Sequence, residues 1–222
     1  MKKIALLIII FSLFTYNICS SMTAVEYDHR ATAYDKQNNY VLAIKNYNRA
    51  TAYGKQGNYN KAIQNFTRAI ELKPDLHQAY YNRGVVYDKQ GKYDQAIQDY
   101  SKTIELAPKC VKAYNNLAWL YATAKNKSYR NGKKTVIFAL KAIKLQESAK
   151  CIDTLGAAYV ENKQHEKAIE TYKKAIEIDR SCIKHYQKSL KEKGYYVGVV
   201  DGVFSSQVEK AMRKCIYEGQ YL

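Results

Sequence analysis

Residues 77–110 read HQAYYNRGVVYDKQGKYDQAIQDYSKTIELAPKC. Two apolar stripes in this stretch have helical spacing, Tyr80–Gly84–Tyr87 and Ala96–Tyr100–Ile104. Gly91 stands between them as a helix-ending residue, and Pro108 stops the second stripe. The stretch therefore predicts two helices joined by a tight turn. Small residues at 84 and 96 let the paired helices approach, and tyrosines fill the space between them. The segment before it, residues 43–76, reads AIKNYNRATAYGKQGNYNKAIQNFTRAIELKPDL and repeats the pattern at an offset of 34. Ala50 answers Gly84, Tyr53 answers Tyr87, Gly57 answers Gly91, Phe66 answers Tyr100 and Pro74 answers Pro108. One such hairpin cannot bury its apolar face alone, so neighbouring copies have to stack.

Two less regular units follow. Residues 111–148 open on VKAYNNLAWLYATAK, a match to the first helix, before KNKSYRNGKK lengthens the turn. Residues 149–180 place Leu155, Gly156, Tyr159, Ala168, Tyr172 and Ala175 at the pattern positions, with His165 and Arg180 in place of the usual tyrosine and proline. At the other end, RATAYDKQNNYVLAIKNY (30–47) matches RATAYGKQGNYNKAIQNF (49–66) at an offset of only 19. An irregular first unit, 24–42, is expected there, with the helix near 40–56 serving two units at once. The 34-residue period and its signature positions closely resemble the tetratricopeptide repeat. The fold this implies is all-α, a right-handed superhelix of antiparallel helix pairs spanning 24–180.

Such superhelices bind proteins or peptides along the concave surface lined by the first helices. Carried over by position, that lining is Tyr47, Thr51, Tyr81, Val85, Asp88, Lys89, Lys112, Asn115 and Trp119. Trp119 is the sole tryptophan, and a partly exposed aromatic anchor suits recognition. One subgroup of the family clamps a carboxylate with two asparagines and three basic residues. Only Asn82 and Lys112 fit that pattern, while Tyr47, Thr51 and Asn116 depart from it, so no carboxylate clamp is expected.

The end of the chain is different. GYYVGVVDGVF, residues 194–204, is a glycine-punctuated aromatic segment between two helical patterns. Gly194 is suited to end one helix, Asp201-Gly202 is turn chemistry, and Ser205 or Ser206 can cap the next helix. That helix carries the stripe Val208–Ala211–Met212–Cys215. Together with Gln187 and Leu190, the segment resembles the small helical peptidoglycan-binding domain, here residues 181–222. The resemblance implies wall binding, with Tyr195, Tyr196 and Asp201 as the candidate contacts. Ser205-Ser206, Val208 and Cys215-Ile216 depart from that family's later positions. The alternative is a structural cap over the last repeat.

The chain opens on MKKIALLIIIFSLFTYNICSS, with Lys2 and Lys3 ahead of an apolar run from Ile4 to Phe14 and small residues at Ser20 and Ser21. The run is shorter than the roughly 20 residues a membrane span requires, so 1–21 reads as a signal peptide, or else an N-terminal anchor. Membrane association is expected only through an uncleaved or lipidated N-terminus, with Cys19 a weak match for lipidation. The formal charge is +16, or +14 without the two leader lysines. Such a surface attracts polyanions, but no run of five like charges marks a nucleic-acid arm, and the leader argues against a nucleic-acid partner. Cys110, Cys151, Cys182 and Cys215 follow the repeat spacing, and free thiols are expected because packed helices stand farther apart than a disulfide spans. The four histidines, 29, 77, 165 and 185, show no metal-ligand or nucleophile–base spacing, so neither a metal, a cofactor nor catalysis is expected. The resulting expectation is an exported, non-enzymatic scaffold of the bacterial periplasm or cell envelope. It would hold a protein partner and be tethered to the wall. An accessory subunit of a wall hydrolase is the alternative.

Overall fold

The computed structural model describes residues 24–222, with side chains from residue 36 onward. The expected leader, 1–21, lies outside them. Ten α-helices and no strand are present among the described residues. They are α1 (Ala24–Lys55), α2 (Tyr59–Leu72), α3 (His77–Lys89), α4 (Tyr93–Leu106), α5 (Val111–Thr123), α6 (Gly132–Leu145), α7 (Ala149–Glu161), α8 (His165–Ile178), α9 (Cys182–Glu192) and α10 (Ser206–Tyr217). Consecutive helices pair, α1 with α2 through α7 with α8, and each pair packs on the next.

The pairing rests on the small residues. A Cβ added to Gly84 would stand 3.0 Å from the Tyr100 ring, and one added to Gly156 would stand 2.8 Å from Tyr172. Tyr100 and Tyr172 are fully buried, as are Ala96 and Ala168 one turn before them. The turns between paired helices are made by left-handed residues. Gly57 (φ 75°) and Gly91 (φ 73°) take that conformation without strain, but the third such corner is Lys163 (φ 58°). The lengthened turn of the unit 111–148 holds a short 3-10 helix, Lys127–Tyr129, whose Tyr129 ring packs tilted against Tyr93 with centroids 5.2 Å apart and whose hydroxyl donates to Asp94 at 2.7 Å.

The N-terminal unit departs from expectation. No helix pair forms over 24–42; α1 runs unbroken for 32 residues to Lys55. The reason lies in the offset-19 copy. KQGNY at 55–59 turns at Gly57, whereas KQNNY at 36–40 has Asn38 there and no glycine or proline, so nothing stops the helix. The extension leaves Tyr40, Val41 and Leu42 about half exposed, with Lys73 over the Tyr40 ring at 4.0 Å.

After the fourth pair, α9 packs on α8 and α10 packs on both. Tyr186, Leu190, Val208, Met212, Cys215 and Ile216 join Ile169 and Tyr172 in one apolar cluster. α10 runs antiparallel to α8, held at its ends by Lys173–Glu209 (2.6 Å) and by Glu166, which accepts from Arg213 (3.1 Å) and from the Tyr217 hydroxyl (2.7 Å). The C-terminal stretch thus covers the last repeat rather than standing apart from it.

Candidate functional site

The inner face of the array is built from α1, α3, α5 and α7, and the repeat gives it a polar ladder. Asn82 donates to the Tyr47 hydroxyl at 2.8 Å, and Asn116 donates to the Tyr81 hydroxyl at 3.1 Å, the same contact one repeat later. Tyr47 also packs on Phe66, with ring centroids 5.8 Å apart, and Tyr81 on Tyr100 at 6.1 Å. Burial pushes the Tyr81 hydroxyl up, partly offset by Asn116. Burial likewise raises the Asp88 carboxyl, while its hydrogen bond with Tyr100 holds it down.

Thr51, Val85 and Lys89 come together on one cleft of about 200 Å³, completed by Gly54, Lys55 and Asn82, with Phe66 and Val86 in its floor. Two lysines flank an apolar floor there, and the Thr51 hydroxyl is already committed to the Tyr47 carbonyl at 3.0 Å. Lys112 is exposed. Asn115 is only 4% exposed, so it offers a partner almost no surface, and its side-chain oxygen has no hydrogen-bond partner.

Trp119 is half-buried and is met edge-on by Tyr221, with centroids 5.9 Å apart and an interplanar angle of 74°. The Tyr221 hydroxyl donates to the Thr123 carbonyl at 3.4 Å. The cleft end of the inner face is therefore open, while the Trp119 end is covered by the chain's own last residues. Nothing in the sequence pattern announced this contact, because Tyr221 lies 102 positions away from Trp119 and outside any repeat. Asp153, one repeat beyond Asn115, accepts from the buried Tyr186 hydroxyl at 2.7 Å. Burial pushes both groups up.

The C-terminal segment is organised by Gln187. This fully buried side chain donates to Asp201 at 2.7 Å and to the Val203 carbonyl at 3.1 Å, and accepts from the Gly202 amide at 2.8 Å. The Gln187 hydrogen bond, seconded by the Val203 amide, holds the Asp201 carboxyl below the usual carboxylate range. Gly194 (φ 81°) and Gly202 (φ 83°) take the left-handed turns, and Ser205 caps α10 by accepting from Val208 at 3.3 Å. Tyr196 is 6% exposed and donates to the Val199 carbonyl at 3.0 Å. Tyr195 is partly exposed, and its hydrogen bond to Glu218 at 2.6 Å pushes its hydroxyl up to about 12. Of the three candidate wall contacts, Tyr196 and Asp201 are thus engaged within the loop. The exposed surface of the loop is apolar, made by Val197, Val199 and Val203.

No group of three or more His, Cys, Asp or Glu that could hold a metal is present among the described residues. No helix among them is long and apolar enough to cross a membrane. The four cysteines among the described residues, Cys110, Cys151, Cys182 and Cys215, are unpaired, and burial pushes the Cys215 thiol up to about 11.

Comparison with known proteins agrees with the repeat fold. Residues 77–110 and 154–182 match the family model described as "Tetratricopeptide repeat", and residues 51–91 match the one described as "TPR repeat". No curated protein matches the sequence. Among solved structures, the chain is similar to a MamA RS-1 double mutant at 26% identity and a TM-score of 0.54, over 63% of this chain and 76% of that one. It is also similar to MamA from Desulfovibrio magneticus RS-1, at 20% identity and a TM-score of 0.59 over 80% and 90% of the two chains. Pseudomonas aeruginosa pilF shares 17% identity at a TM-score of 0.59, over 82% and 77%. The last two show the fold alone. The chain carries tetratricopeptide repeats over residues 51–91, 77–110 and 154–182, stacked helix pairs of the kind that bind protein partners.

Proposed function

We propose that the protein is an exported, non-enzymatic scaffold that holds a protein or peptide partner on the inner face of its repeats and is tethered to the cell wall through residues 181–222. The observation that carries the first half is the open cleft at Thr51, Val85 and Lys89, lined also by Phe66, Val86 and Lys55 on matched repeats. Stacked repeats present such extended concave surfaces for binding. The flanking lysines favour a partner segment with acidic residues. The remaining lining residues, Tyr47, Tyr81, Asp88, Lys112, Asn115 and Trp119, extend the same face, with Asn115 supporting it from below. Export is supported by the pattern of residues 1–21, and tethering by the GYYVGVVDGVF segment with partly exposed Tyr195.

A photo-crosslinking residue placed at Thr51 or Lys89 tests the partner reading in cells. It should capture discrete protein adducts that the same residue at Lys102, on the exposed side of α4, does not. Equal adducts from both positions would remove the groove from the reading. Tethering is tested by co-sedimentation of the whole chain with purified peptidoglycan sacculi at low and moderate salt, beside Tyr195→Ala. Truncation at residue 180 is avoided, because it would strip the cover from Ile169 and Tyr172. Binding that vanishes with salt and ignores Tyr195→Ala would mean charge alone.

A further inference from the structure

The last two residues, Tyr221 and Leu222, pack back onto the repeats. α10 ends in a glycine-capped reversal in which Gly219 takes φ 74°, its amide bonds to the Ile216 carbonyl at 2.9 Å, and the Gln220 amide bonds to Cys215 at 3.0 Å. This motif sends residues 220–222 back across the array rather than away from it. Tyr221 then meets Trp119 edge-on and donates to the Thr123 carbonyl, while Leu222 is 4% exposed and lies in the cluster with Val160 and Tyr172. The Leu222 amide donates to the Tyr172 hydroxyl at 3.4 Å. Each feature is one that an extended peptide ligand would satisfy. The seat offers an aromatic wall, a free carbonyl for a phenol, an apolar pocket for the next side chain, and a hydroxyl that accepts a backbone amide.

We infer that the inner face at Trp119 is a peptide-binding seat occupied in cis by the chain's own Tyr221-Leu222, and that it accepts a partner segment carrying a tyrosine followed by an aliphatic residue when that segment displaces the tail. The inference rests on the reading of the inner face as a partner groove, and it adds the chemistry of the ligand and a built-in competitor. Tyr221 is only partly buried and makes one long hydrogen bond, while the aromatic wall it meets, Trp119, belongs to the repeats. A tether holds its ligand at an effective concentration of order mM. A tail whose free-peptide Kd is about 0.1 mM therefore fills the seat most of the time and weakens a competitor about tenfold.

Trp119, the sole tryptophan, reports directly on the seat. The experiment uses the full chain, its Tyr221→Ala and Tyr221→Phe variants, and a peptide copying residues 217–222 with a dinitrophenyl quencher attached. Tyr221→Ala should shift Trp119 emission to the red and increase its quenching by acrylamide, while Tyr221→Phe, which keeps the ring, should leave both near the parent values. The peptide should quench Tyr221→Ala with about tenfold tighter apparent affinity than the parent chain, and the same peptide with its second tyrosine replaced by alanine should not. Far-UV circular dichroism melts show whether Tyr221→Ala keeps its fold; if it does not, saturable quenching of the parent chain by the peptide, absent with the alanine peptide, decides. Unchanged emission and quenching in a folded Tyr221→Ala would overturn the seating of the tail. Altered emission with no peptide binding would make the contact mere packing and overturn the ligand seat. Both results are independent of the crosslinks at Thr51 and Lys89, so the partner reading can survive the loss of this one.

Discussion

Arg83 occupies a register that two later repeats fill with Leu117 and Leu155, and it does so by pairing with Asp99 across α3 and α4. Its Nε and Nη2 donate to the two Asp99 oxygens at 2.8 Å each, and Nη1 donates to the Thr67 hydroxyl at 2.9 Å. The side chains are 16% and 6% exposed. Burial pushes the Asp99 carboxyl up by more than the neighbouring guanidinium pulls it down, so its charge is held at a net cost. On the Arg83 side the pair wins over burial and raises the guanidinium still further. The carboxylate is the less exposed partner and carries the cost, since an arginine is charged in either case. Breaking a buried pair from one side costs about 3–5 kcal/mol, whereas removing both charges is often neutral or stabilising. Asp99→Ala leaves Arg83 with Thr67 and some water, so the loss should lie near the lower figure, about 3 kcal/mol. That corresponds to roughly 6–12 °C in melting temperature for a chain of this size. Arg83→Leu, which strands the carboxylate, should cost at least as much. The double variant Arg83→Leu/Asp99→Ala should fall by only about 1 kcal/mol, the residual cost of the smaller side chain. The assay is urea and thermal unfolding of all four proteins followed by far-ultraviolet circular dichroism, analysed as a two-state transition. Additive losses, with the double variant as unstable as the two singles summed, would refute the reasoning.

The remaining predictions follow from local geometry. Lys163→Gly should stabilise the chain by about 1 kcal/mol, because a lysine there holds the left-handed conformation that glycine adopts freely at Gly57 and Gly91; a drop in melting temperature would count against it. The Tyr217 and Arg213 hydrogen bonds hold Glu166 below its ordinary 4.5, and Lys173 does the same for Glu209. Both depressed carboxylates hold α10 on α8 above their unfolded values, and this contribution is lost as pH falls through the folded ones. Acidification below about 4.5 should therefore loosen α10, seen as a red shift of Trp119 through its Tyr221 contact, before the helices melt. Glu166→Gln should remove part of that transition, and an unchanged pH profile would detach Glu166 from it.

The sequence by itself determined the repeating part of the molecule, since a 34-residue period of small, aromatic and turn residues admits one packing of helix pairs. It also marked Gly194, Gly202 and Ser205, because each obeys a local backbone rule that needs no neighbour. It left three things to tertiary structure. The 19-residue offset looked like a broken repeat, yet α1 is continuous because Asn38 stands where a turn glycine was needed. Residues such as Asn115, Tyr196 and Asp201 occupy surface-facing or motif positions, but whether a side chain faces a ligand or its own fold depends on what packs over it. Most of all, the covering of Trp119 by Tyr221 joins two segments 102 positions apart that share no periodicity. Local patterns encode helix faces and turns, while contacts between distant segments are fixed only when stacked helices bring them together.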